Sequence, residues 1–145
     1  MTVGDDVVIV NASLLAGHTI IQDRVTMSGS VLVHQHCRIG RQAMCSGGSI
    51  LTGDVPPYCM SAGRNMIVGL NMVGMRRSGM PKEEIEAVRH AYKAVLRHNP
   101  PLKEMCAELA ELAGHSAAVK QISDFIAEAK RPIVPVGGRK SQGRD

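Results

Sequence analysis

The chain has 145 residues, enough for about one domain. With 15 Gly against two Tyr, one Phe and no Trp, a broad aromatic core is excluded, and the interior must be built from Val, Ile, Leu, Met and Ala. A formal charge of +4 with so few aromatics gives no basis for nucleic-acid binding, and no apolar run or leader-like pattern marks a membrane span; acidic partners such as nucleotide phosphates or an acidic carrier protein stay compatible.

The stretch from Val3 to Pro56 repeats with a period of six. Its first positions read Val3, Ile9, Leu15, Ile21, Met27, Val33, Ile39, Cys45 and Leu51, all apolar. The second positions (Gly4, Val10, Ala16 and onward) are mostly small, and the fifth (Val7, Ser13, Thr19, Val25 and onward) are small or β-branched. Neither a helix nor a simple strand has this period. It predicts a parallel β-helix in which each hexad makes one short strand and its corner, and residues 18 apart stack. The first position should fill the bore, and the small second position should let the backbone turn. The first hexad has no capping element before it. A bare coil end exposes strand edges and apolar bore, so the expectation is an N-terminally shortened form of a longer repeat, or a partner over this end.

The repeat should stop at Asp54-Val55-Pro56-Pro57-Tyr58, where two prolines cannot extend the ladder. Gly63, Gly69 and Gly74 then read as helix breakers in an irregular passage. Helical spacing begins at Pro81, with Ile85, Val88, Tyr92, Val95 and Leu96 on one face up to His98. A second helix is predicted over 102–113, with Leu102, Met105, Leu109 and Leu112 inward, and a third over 116–130, with Val119, Ile122, Phe125 and Ile126 inward. The domain reading is a β-helix of about three coils lacking its N-terminal ones over 1–57, an irregular final coil and connection over 58–80, a three-helix domain over 81–131, and a mobile basic tail over 132–145. The fold class is therefore mainly β plus α. Cys37, Cys45, Cys59 and Cys106 show no C-x-x-C spacing, so reduced thiols in a cytoplasmic protein are the simplest reading.

Three histidines lie in the repeat: His18, His34 and His36. His18 and His36 hold the same hexad position one coil apart, which should stack them about 4.8 Å apart. Imidazoles gathered on a prism face can act as a base, hydrogen-bond a sugar or phosphate, or ligate a metal.

Five segments carry a resemblance: Asn11 to His18 (NASLLAGH), Val33 to Cys37 (VHQHC), Asp54 to Tyr58 (DVPPY), Gly69-Leu70-Asn71 with Gly74-Met75-Arg76-Arg77, and Ala91-Tyr92-Lys93. In this order and spacing, from about Thr2 to Arg131, they resemble the C-terminal half to two-thirds of the bacterial UDP-N-acetylglucosamine acyltransferases, which act first in lipid A biosynthesis. The resemblance implies a left-handed parallel β-helix, a C-terminal helical domain and a homotrimer with sites between subunits. It implies transfer of a 3-hydroxyacyl group from acyl carrier protein to UDP-N-acetylglucosamine, with no metal and no diffusible cofactor.

Taken position by position, the resemblance makes His18 a contact to the sugar nucleotide, with His34 and Gln35 lining the same cleft. Asn71 and Arg77 match the segment that holds the nucleotide; a guanidinium suits a diphosphate because it pairs bidentately. Met44 and Gly47 fall where the acyl groove is measured. Two departures stand out: Val73 where the family commonly has an acidic residue, and Ser78 where it often has another Arg. The family's general base would fall immediately before Met1, so no catalytic residue is assigned and the chain alone is expected to be weak or inactive. Two other readings are open. One is a non-catalytic trimeric repeat protein that binds nucleotide sugar or acyl carrier protein. The other is a zinc enzyme of the γ-carbonic-anhydrase kind, with three His on zinc between subunits drawn from His18, His34 and His36; it leaves the Arg77 segment and the helices unexplained.

Overall fold

The structure, a computed structural model, describes residues 1–137. Nine two-residue strands follow the hexads: β1 (Thr2–Val3), β2 (Val8–Ile9), β3 (Leu14–Leu15), β4 (Ile20–Ile21), β5 (Thr26–Met27), β6 (Leu32–Val33), β7 (Arg38–Ile39), β8 (Met44–Cys45) and β9 (Ile50–Leu51). Each pairs in parallel with the strand one coil on, as in Thr2 with Ile20 with Arg38. Three walls result: β1-β4-β7, β2-β5-β8 and β3-β6-β9. The triangular parallel β-helix read from the period is present.

The corners turn at a different position from the one expected. The fourth residue of every hexad but the last, not the second, takes the left-handed conformation: Asp6, Ala12, His18, Arg24, Ser30, His36, Gln42 and Gly48, with φ from 56° to 77°. Only the last of these is glycine. An L-residue there costs about 1 kcal/mol or more. The ladder holds the conformation, since fourth-position amides donate to third-position carbonyls of the coil before, such as His36 N to Gly17 O at 3.1 Å.

First positions fill the bore: Ile21, Met27, Ile39, Cys45 and Leu51 are 1% exposed or less. Fifth positions close it between them, and the hydroxyls they bury are satisfied by their own corners, Thr19 Oγ1 on Ala16 O (3.0 Å) and Ser49 Oγ on Ser46 O (2.7 Å). The first coil is more open, with Val3 at 43% and Ile9 at 40%.

The repeat does not end at Asp54. A fourth, shorter coil follows: Val55 bridges Ile39, β10 (Cys59–Ser61) pairs in parallel with β8, and Arg64 bridges Ile50. Val55 lies over Ile39 and Met60 over Met44, an advance of 16 residues and not 18, and Arg64 over Ile50 shortens it further to 14. The first shortening is at the 52–54 corner. There the chain presses against Pro132, and a Cβ on Gly53 would come within 2.4 Å of Pro132 O. The chain then reverses, and β11 (Ile67–Leu70) runs antiparallel to β10.

A short helix, α1 (Met72–Arg77), runs through Gly74, where the sequence predicts a break. Asn71 overrides it by capping: its side-chain oxygen accepts from Gly74 N at 3.0 Å. The helices α2 (Lys82–Ala94), α3 (Leu102–Leu112) and α4 (Ala117–Ala127) lie where the spacing placed them. Ser116 caps α4 through Val119 N, and Glu84 of α2 accepts from Ala118 N. Inward residues are as read, except that Leu102 is 45% exposed: it opens the first turn of α3, before that helix reaches its neighbours.

The segment 132–137, expected to begin a mobile tail, is tied down. Ile133 bridges Asp54, Val136 bridges Ile67, and Val134 and Val136 are buried. The apolar run Ile133-Val134-Pro135-Val136 drives this docking. The rest of the expected tail lies outside the described residues.

All four cysteines are free thiols; Cys37, Cys45 and Cys59 are buried and Cys106 is partly open. Burial pushes Cys45 up to about 11 and Cys59 up to about 12. The thiolate is the reactive form. At pH 8 a thiol reagent should therefore modify Cys106 alone, with the other three reacting only on unfolding. Mass spectrometry of the labelled native protein checks this; rapid labelling of Cys45 or Cys59 would contradict it.

Candidate functional site

Two depressions and a shallow groove hold the site residues singled out from the sequence, Gly47 excepted. The largest, about 800 Å³, lies between the outer face of the second wall and α1. Met44, Met60 and Leu70 give it an apolar floor, and Arg24, Arg77 and Asp6 give it a charged rim. Arg77 is exposed on the last turn of α1 and makes no ion pair among the described residues. Its guanidinium is open to an anion.

Asn71 lines the same groove, but its amide is engaged. Nδ2 donates to Gln42 O at 2.9 Å while Oδ1 caps α1. Gln42 Nε2 in turn donates to Ser78 Oγ at 3.2 Å, and Ser78 Oγ donates to Met75 O at 2.8 Å. This network clamps α1 to the β-helix corner and so fixes where Arg77 projects. Asn71 is thus a scaffold residue, and sequence reading missed Gln42 and Arg24. The signal for Gln42 was its place in the turning fourth position.

The second depression, about 630 Å³, sits at the edge between the third and first walls. His18 and His36 stack there with ring centroids 4.8 Å apart and planes within 2°, as the register predicted. Arg38, Glu128, Lys130 and Arg131 complete it, the last three delivered by the chain leaving α4. Beneath lies a buried pair. Arg38 Nε and an Nη donate to Asp54 Oδ2 at 3.0 and 2.8 Å, and Arg38 N donates to Oδ1 at 2.9 Å. The same Nη donates to Phe125 O at 2.8 Å, and the guanidinium lies 3.9 Å over the Phe125 ring. Burial raises the Asp54 carboxyl against the lowering effect of Arg38.

His34 and Gln35 line neither depression. They are exposed at the start of the same corner, on a shallow groove of the third wall with Leu14 and Leu32. The expectation that His18 and His34 line one cleft is not met within one chain, because the backbone turns the corner between the second and fourth hexad positions. Gly47 also lies apart from the Met44 groove, exposed on the corner between the second and third walls. A Cβ there would meet Gly29 O at 3.4 Å, an ordinary van der Waals contact, so the backbone here does not require glycine for space. Among the described residues no three His, Cys, Asp or Glu side chains gather as a metal site, so the three-histidine zinc reading finds no ligand cluster within one chain. No helix among them is long and apolar enough to cross a membrane.

A triangular β-helix of hexads followed by a helical domain defines the class as a hexapeptide-repeat protein, and comparison with known proteins places it in the hexapeptide-repeat acyltransferase superfamily. A family model described as UDP-N-acetylglucosamine O-acyltransferase, domain 2, matches residues 54–134. The acyl-[acyl-carrier-protein]–UDP-N-acetylglucosamine O-acyltransferase of Anaeromyxobacter dehalogenans is 46% identical over 115 residues, 78% of this chain and 45% of that protein. That of Aliarcobacter butzleri is 35% identical over 132 residues, 90% of this chain and 50% of that protein. The crystal structure of the Francisella novicida UDP-N-acetylglucosamine acyltransferase superposes with a TM-score of 0.86 at 31% identity, covering 93% of this chain and 50% of that one. The chain belongs to the UDP-N-acetylglucosamine O-acyltransferase family, and it spans about half the length of these relatives.

Proposed function

We propose that this chain supplies the substrate-holding part of an enzyme that moves a 3-hydroxyacyl group from acyl carrier protein to the 3-hydroxyl of UDP-N-acetylglucosamine, the first step of lipid A biosynthesis. In that reaction the sugar oxygen attacks the thioester carbonyl carbon, a general base takes the hydroxyl proton, and the C–S bond breaks to release the carrier thiol. This chain's residues bind and orient; none is assigned the role of base. The chemistry calls for no metal or diffusible cofactor, and the reduced thiols fit a cytoplasmic setting.

The observation that carries this reading is the Arg77 guanidinium, in no ion pair among the described residues, on the rim of an apolar-floored groove. It pairs with the nucleotide diphosphate, while Met44 in the same groove limits the acyl chain. His18 contacts the sugar, and His34 and Gln35 face it from across the same prism edge. Arg77 and His18 lie on different faces of the prism, which favours a homotrimer in which one copy's groove meets the His18 edge of the next.

Binding tests it. Titration with UDP-N-acetylglucosamine should saturate, and Arg77→Ala should weaken it about tenfold to a hundredfold, the loss of a charge-assisted hydrogen bond. Equal affinity in the variant would overturn the assignment.

A further inference from the structure

The stacked pair at the third-to-first wall edge has a member with no role in the reading above. His36 and His18 are both exposed, and both sit in left-handed corner positions (φ 66° and 61°) one coil apart. Their rings are parallel to within 2° at a centroid spacing of 4.8 Å, the repeat of the ladder itself. An exposed side chain on a β-helix corner otherwise has free choice of ring orientation. Here each ring has one face covered by the other, and both line the cleft with Arg38, Lys130 and Arg131, so the stack restricts the orientation in which His18 meets that cleft.

We propose that His36 is a positioning residue for His18: its ring, through face-to-face stacking, fixes the orientation in which His18 meets the sugar nucleotide. This rests on the reading of His18 given above. What matters is the flat ring and not its nitrogens, since no hydrogen bond of the His36 side chain is present among the described residues. Aromatic pairs of this kind contribute enough to change affinity about two- to tenfold.

Two variants separate the ring from everything else at this corner. His36→Asn removes the ring but suits the left-handed backbone, so the coil should stay folded. His36→Phe keeps a flat ring and removes the nitrogens. The full chain is studied by two measurements: the proton NMR shifts of the His18 ring, and titration with UDP-N-acetylglucosamine. In His36→Asn the ring-current displacement of the His18 signals should vanish and the affinity fall about two- to tenfold; in His36→Phe both should stay near wild type. Loss of affinity in both variants, or unchanged His18 shifts in His36→Asn, would overturn the proposal. Failure of the wild-type chain to bind the nucleotide sugar would instead overturn the functional reading, and the NMR shifts would still decide whether His36 orients His18.

Discussion

Replacing Arg38 with Met should destabilise the protein by about 3–5 kcal/mol, the cost of leaving a buried charge without its partner. The Asp54 side chain is 1% exposed, and both its oxygens accept from Arg38. Arg38→Met retains the backbone donor and the packing over Phe125 but leaves Oδ2 without the guanidinium that it accepts from. The guanidinium also holds Phe125 O of α4, and the Asp54 backbone pairs with the terminal strand, N to Pro132 O at 2.8 Å and O from Val134 N at 2.9 Å. One residue pair therefore joins the β-helix, the last helix and the C-terminal segment. The midpoint of urea unfolding checks it. Pairing Arg38→Met with Asp54→Leu should recover much of the loss, because replacing both partners removes the uncompensated charge. A loss below about 1 kcal/mol in the single variant would mean that water reaches Asp54 and the pair behaves as a surface contact.

The β-helix was legible because its period is written in single residues. Ile21, Met27, Ile39 and Leu51 are apolar for one reason, the bore, and they recur at a spacing no other element uses. The helices were legible from the apolar faces of α2 and α4. What was missed depends on contacts distant in sequence. Gly74 sits in a helix because Asn71 caps it and Gln42 anchors Asn71 across 29 residues. The segment after Arg131 is ordered because Asp54 and Ile67 offer it strand partners, although its Ile133-Val134-Pro135-Val136 composition was already unlike a solvated tail. The fourth coil was hidden by the prolines: Pro56 and Pro57 occupy a corner, where no ladder donor is required of them.

For the candidate site, the resemblance named residues that the structure then sorts. Arg77 and Met44 share one groove, and His18 stacks on His36 in another depression. Asn71 is committed to scaffolding, and Ser78, at the departure from the family pattern, closes the same clamp through Gln42. The split of His18 from His34 could not be read from spacing, because two residues at a left-handed corner change the outward direction. The split of His18 from Arg77 follows from the walls to which their elements belong.

The central proposal is that a nucleotide-sugar site takes Arg77 from one copy and His18 from the next, and mixing two variants tests it most directly. Arg77→Ala and His18→Asn chains should each bind UDP-N-acetylglucosamine weakly on their own. Unfolded together in equal amounts and refolded, they should regain about a quarter of the wild-type number of tight sites, because in a ring each junction draws its two residues independently. Recovery near that fraction by calorimetric titration is the predicted result; no recovery at all, with both variants folded and assembled, would contradict a site shared between neighbouring copies.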